Sequence, residues 1–107
     1  MSTSNVSFPN APQNWNIKVA EAIANEEGYS FNDDHIELVR ALQEYYKKVE
    51  FPNLRQVTDA LEEKFHSKGG MKYLYKIMPG GPVAGGCRLA GLKVPAGAVD
   101  KSFGSVA

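Results

Sequence analysis

The sequence predicts a mainly α protein: a compact array of about five short helices with a C-terminal arm and little or no N-terminal β-structure. Three observations lead there. Apolar residues recur three or four positions apart, the spacing of one helix face. Asn, Gly and Pro fall between these runs, where helices start and stop. No stretch sustains the apolar–polar alternation of a half-buried strand, and no internal repeat is present.

With 107 residues, one domain with one modest core is the expectation. A 43% hydrophobic and 22% charged composition belongs to a soluble globular chain. No apolar run approaches the ~20 residues that span a bilayer, so membrane insertion is not expected. The opening residues lack the basic start and apolar centre of a signal peptide, which makes a cytoplasmic location the expectation. The chain divides into a flexible N-terminal tail (1–13), a helical domain (14–91) and a C-terminal arm and tail (92–107).

The first helix is expected over 15–27, with Asn14 as its N-cap and Gly28 as its stop. Trp15, Val19 and Ile23 would share its inner face, with Trp15 as a core anchor. Asn32 caps the second helix, and Asp33 and Asp34 suit the positive end of its dipole. Its stripe is Ile36, Val39, Leu42, Tyr46 and Val49, and Phe51-Pro52 ends it. Tyr45 and Tyr46 cannot both face the core at one depth, so one presents its hydroxyl to solvent or to a site. The third helix spans 54–65 behind Asn53, burying Leu54, Val57, Leu61 and Phe65. The fourth, over 71–78, places Met71, Leu74, Tyr75 and Met78 on one face and Lys72 and Lys76 on another. Pro79-Gly80-Gly81-Pro82 forces a turn, and Pro82 suits the first position of a fifth helix over 82–90, stopped by Gly91. Gly85-Gly86 costs that helix about 1 kcal/mol per glycine relative to Ala, so packing holds it or it frays. Val83, Cys87 and Ala90 fall on one face, with Arg88 turned away.

Formal net charge is zero, yet residues 1–63 carry 11 acidic and 5 basic side chains, while 64–107 carry 7 basic and 1 acidic. The single cysteine, Cys87, lies in the basic half. Two readings stand: two solvated faces of different sign, or a cationic setting that favours thiolate or docks an anionic partner. Cys87 is likewise either a small buried hydrophobe or a nucleophile beside Arg88. One cysteine forms no disulfide within the chain, and one Cys with two His cannot complete a Cys₂His₂ zinc site. No phosphate loop, dinucleotide fingerprint or metal-ligand cluster is present, so no cofactor and no metal are expected. Nothing in the spacing of His35 or His66 links either to Cys87 as a catalytic base. The turn over 50–53 permits a helix-turn-helix, but Asp59, Glu62 and Glu63 on its second helix oppose phosphate contact.

One block of residues carries a resemblance. Lys72-Tyr73-Leu74-Tyr75, Met78-Pro79-x-Gly81-Pro82 and Cys87-Arg88-x-Ala90-Gly91-Leu92, then Pro95 and Gly97, resemble the C-terminal half of the DsrC/TusE family, also called the gamma subunit of dissimilatory sulfite reductase. Trp15, Asp34-His35, Val39-Arg40, Tyr45-Tyr46, Arg55 and Lys64 fall in a similar order, so the resemblance covers roughly residues 14–99. It implies a small helical sulfur-relay protein whose mobile C-terminal arm carries a cysteine that accepts sulfur as a persulfide. One branch works with sulfite reductase and a membrane reductase through a two-cysteine trisulfide; the TusE branch relays sulfur toward thiolated tRNA. As the only thiol, Cys87 is the candidate sulfur acceptor, and the motif match offers Arg88, Arg55, Lys64, Lys72 and Tyr73 as anion- or thiolate-stabilising groups. The family's N-terminal strand region is shortened to a tail here.

The chain departs from that pattern at a decisive place. Cys87 matches the family's upstream cysteine, and the arm position eleven residues later reads Gly97-Ala98-Val99. Ala98 holds no sulfur, so trisulfide chemistry within one chain is excluded and the TusE-type relay lacks its usual acceptor. The arm from Gly91 to Ala98 reaches at most ~25–30 Å and can fold over Cys87 as a cover. Three functions follow: a variant carrier in which Cys87 alone accepts sulfur, a non-carrier regulatory or binding paralogue with a structural Cys87, and a nucleic-acid-binding module (tRNA or DNA), which is not favoured. The implied partners are sulfur-donor and sulfur-acceptor proteins, and a self-sufficient enzyme is not expected.

Overall fold

Asparagine starts three helices, each by accepting backbone N–H groups that the first turn leaves unpaired. The computed structural model describes residues 8–28, 30–95 and 97–98. Among them the elements are α1 (Ile17–Glu27), α2 (Asp33–Lys48), α3 (Leu54–Lys64), α4 (Met71–Ile77) and α5 (Pro82–Ala90), with a 3₁₀ turn His66–Lys68 before α4 and no strand. The mainly helical expectation holds.

Asn32 and Asn53 build reciprocal caps. The Asn53 side chain accepts from Gln56 N–H at 2.8 Å while Gln56 accepts from Asn53 N–H at 2.9 Å. At α2 the returning acceptor is His35 Nδ1, 3.1 Å from Asn32 N, and the ring's Nε2 sits 2.8 Å from the Ile77 carbonyl. With Nδ1 accepting, the Nε2–H donates, so His35 pins the start of α2 to the end of α4. α4 has no cap of its own; Glu62 of α3 accepts from Met71 N–H at 2.9 Å and brings a carboxylate to the helix start.

The first helix departs from expectation. It begins at Ile17 behind Asn16, whose side chain accepts from Lys18 and Val19 N–H. Asn14 lies at φ 64, a turn conformation, so Trp15 precedes the helix instead of opening it. Val19 is 37% exposed, and Ala20 and Ala24 form the buried face in its place. The reason is the partner. α1 packs on α5, where small side chains let two helix backbones approach. In α4, Leu74 and Met78 are buried as expected, but Tyr75 is 52% exposed and Tyr73 turns in against Phe65, ring centroids 6.1 Å apart.

α5 is the hub, packing against α1, α2, α3 and α4. Every residue of it except Arg88 is buried. Its glycines answer the choice between packing and fraying: a Cβ on Gly86 would lie 2.6 Å from Leu42 Cδ1 and 3.1 Å from Leu38 Cδ2, and one on Gly85 would lie 2.4 Å from Met78 Cε. At Gly86 α2 approaches too closely for a side chain, while at Gly85 the neighbour is the end of the Met78 side chain. The predicted tail 1–13 is described from Phe8 onward, where Phe8 meets Trp15 edge-on at 5.0 Å; residues 1–7 and 99–107 lie outside the described residues.

Candidate functional site

Cys87 sits one turn before the end of α5, with its side chain 0% exposed. Helix periodicity sets what faces it. Gln43 and Tyr46 are three apart on α2, and Cys87 and Ala90 are three apart on α5, so the two helices meet in two rungs. In one, Gln43 Nε2 donates to the Ala90 carbonyl at 3.0 Å, while its buried Oε1 has no partner. In the other, the Tyr46 hydroxyl lies 3.5 Å from Cys87 Sγ.

The arm closes over this second rung. Gly91 takes a left-handed turn at φ 75, and Leu92 N–H donates back to the Cys87 carbonyl at 2.9 Å. The chain then passes Tyr46, whose hydroxyl donates to the Lys93 carbonyl at 2.8 Å. Leu92 and Val94 are half-buried against the core. Outside them lies a groove of about 510 Å³ lined by Tyr46, Phe51, Pro52, Leu92, Val94 and Pro95 among others. Phe51 stands at its edge, 81% exposed and at φ 52, a region that costs an L-residue about 1–2 kcal/mol.

Burial sets the electrostatics. It pushes the Cys87 thiol up to about 11, against a smaller downward pull from the Tyr46 hydroxyl. Burial first, then the thiol, raises Tyr46 as well. Both groups are neutral near pH 7. This is the reverse of an activated thiolate, which needs a cation or exposed dipoles nearby.

The groups that the sequence offered as thiolate-stabilising are distributed over the molecule. Arg88 follows Cys87 in the chain but turns to Glu27 of α1, in a two-pronged ion pair with Arg88 Nε 3.1 Å from Glu27 Oε2. Arg55 is exposed and pairs with Asp59 at 3.9 Å. Lys64 meets Glu44 at 3.6 Å, and Lys72 is exposed on α4. Tyr73 donates to Asp34 at 2.7 Å; burial first, and that bond next, lift its phenol to about 12. Ala98 is half-buried in a second groove with Leu54, Met71, Tyr75, Val83 and Ala84, beside the first half of α5. The polar group on the thiol is Tyr46, which the tyrosine doublet marked as one of two candidates. Gln43 was missed, although it lies within the α2 stripe, one turn from Val39 and Tyr46. The Lys93 carbonyl carries no sequence signal, since every residue has one.

Among the described residues no cluster of three or more His, Cys, Asp or Glu is arranged to hold a metal, and no helix is long and apolar enough to cross a membrane. What the arrangement offers chemically is one sulfur nucleophile, held protonated beneath a surface segment.

Comparison with known proteins gives a consistent result. A family profile described as "DsrC like protein" matches residues 1–99. Sulfurtransferase TusE of Salmonella paratyphi A is 34% identical over 99 residues, 89% of this chain and 89% of its own. Sulfurtransferase TusE of Escherichia coli K12 is 36% identical over 85 residues, 76% of each chain. No solved structure matches.

Proposed function

The chain belongs to the DsrC-like family, and from that premise we propose that it works in a sulfur relay, with Cys87 as the only thiol able to hold sulfur and the arm as its cover. The observation that carries this reading is how the thiol is closed off. The segment 92–95 is an irregular strap, exposed at Lys93 and buried at Pro95, fastened through the Tyr46 hydroxyl to the same place where Sγ lies. In the relay, a donor persulfide passes its outer sulfur to the Cys87 thiolate, which becomes a persulfide while the donor leaves as a thiolate. An acceptor thiolate then removes that sulfur in the same manner, and the oxidation state is conserved overall.

The relatives' name, Sulfurtransferase TusE, favours a relay of the tRNA-thiolation branch over a sulfite reductase subunit. The single cysteine excludes a trisulfide within the chain, and alanine at position 98 leaves Cys87 to take the part of the arm cysteine in such a relay. The partners are then sulfur-donor and sulfur-acceptor proteins.

A second reading has its own support. A fully buried, protonated Cys87 with alanine at position 98 suits a family member that keeps the scaffold for binding or regulation and carries no sulfur. Intact mass after incubation with a persulfide donor decides between them. A gain of one sulfur, absent in Cys87→Ala and reversed by a thiol reductant, is the expected result. No gain, together with a Cys87 that alkylates only after unfolding, establishes the non-carrier reading instead.

A further inference from the structure

A phenol has one proton to give. At 2.8 Å from the Lys93 carbonyl, which only accepts, the Tyr46 hydroxyl must donate to the arm. Its contact with Sγ at 3.5 Å then leaves the phenol oxygen with lone pairs alone toward sulfur. In that geometry the favourable partner is a neutral S–H donating to oxygen. A thiolate on the buried sulfur would face lone pairs across the gap, and the downward pull of the Tyr46 hydroxyl on the thiol belongs to the orientation in which its proton turns to sulfur. The fastened arm and the neutral thiol therefore require one another.

We infer that Tyr46 is a positioning residue that couples the arm to the thiol: when the arm lifts, the Tyr46 proton turns from the Lys93 carbonyl to Sγ and stabilises the thiolate that the relay uses. The deduction rests on the reading of Cys87 as the relay thiol. The proton bookkeeping is simple: the thiol proton leaves to solvent, which lifting the arm admits, and Tyr46 keeps its own proton while changing the acceptor. Other charges at this place do not supply the same effect. Glu50 and Lys93 line the groove outside, and Arg88 on α5 pairs with Glu27. Gln43, one turn along α2, is uncharged.

The test is the pH dependence of Cys87 alkylation by iodoacetamide in the native full chain, with cooperative unfolding checked by circular dichroism. Val94 lines the groove and packs on the core, so Val94→Asp loosens the arm without touching Tyr46. Wild type should alkylate slowly. Val94→Asp should alkylate faster, with a midpoint about one unit below that of the Val94→Asp/Tyr46→Phe pair, roughly a tenfold gain in thiolate below both midpoints. Tyr46→Phe alone should open the arm yet keep the high midpoint. Equal midpoints with and without Tyr46 would overturn the inference, as would a Val94→Asp thiol no more accessible than wild type. Val94→Ser gives the same comparison if the aspartate variant does not unfold cooperatively. Because alkylation needs no sulfur donor, this result stands apart from the persulfide mass measurement: a failed mass gain refutes the carrier and leaves the coupling to be judged here.

Discussion

Alanine at Gly85 and at Gly86 should have opposite outcomes, although the two residues are adjacent on one buried helix. Each substitution gains about 1 kcal/mol of helix propensity, because Ala loses less backbone freedom than Gly on folding. What differs is what the new methyl group meets. At position 85 it meets Met78 Cε, the mobile end of an unbranched side chain that can swing aside. At position 86 it enters 2.6 Å from Leu42 Cδ1 and 3.1 Å from Leu38 Cδ2, and both leucines are 0% exposed. Overpacking of that kind costs about 1–3 kcal/mol. Gly85→Ala should therefore be neutral or stabilising by up to about 1 kcal/mol, and Gly86→Ala destabilising by up to about 2 kcal/mol, at about 4–8 °C in Tm per kcal/mol for a domain of this size. Urea unfolding followed by the fluorescence of Trp15, whose indole lies against the end of α5, gives both values. Adding Leu42→Val to Gly86→Ala should return part of the loss, since it removes the group in the way. A Gly86→Ala protein at least as stable as wild type, or a Gly85→Ala protein less stable than Gly86→Ala, would refute the close-approach argument.

Two further predictions concern the same helix. The Cys87 thiol ionises near 9.0 when unfolded and near 11 when folded, so between those values the unfolded chain binds fewer protons. Stability should be unaffected by this group below pH 9 and should fall by about 2 kcal/mol on going to pH 11, a slope that denaturant titrations should find reduced in Cys87→Ala. Trp15 Nε1 donates to the Leu89 carbonyl at 2.7 Å, one of the groups that the end of α5 leaves without a helical partner. Trp15→Phe keeps the aromatic contact and drops the bond, and should cost about 1–2 kcal/mol in thermal unfolding followed by circular dichroism; an unchanged Tm would mean that the bond adds nothing.

Helices were legible wherever a cap and a stripe agreed. Asn32 with Asp33-Asp34, Asn53 with Gln56, and Pro82 with Gly91 mark their ends because local hydrogen bonding and backbone freedom act within a few residues. The start of α1 was misplaced because Asn14 and Asn16 are chemically identical, and only the left-handed turn at Asn14 separates them. Val19 and Tyr75 fit their stripes and still face outward, since which side is inside depends on the partner helix, not on the period. The site was legible in part. Cys87 and the tyrosine doublet are visible in the chain, but the pairing of Tyr46 with Cys87 spans 41 positions. The ion pair that turns Arg88 to Glu27 spans 61. Such contacts follow from how α1, α2 and α5 stack, which no local window contains.

The central position of α5 also bears on how the chain is made. Among the described residues it is the last of the five helices along the sequence, and the other four pack against it. A nascent chain that has not yet emerged past Pro82 holds four helices without their common surface, and α1, α3 and α4, at 11 residues or fewer, are too short to persist alone in water. Folding must then wait for residues 82–90 and proceed largely in one step once they arrive. Until that moment the leucines of α2 and α3 are available to chaperones or to other chains. A substitution in α5 should accordingly lower the yield of folded protein in cells more than its effect on the purified protein's stability suggests.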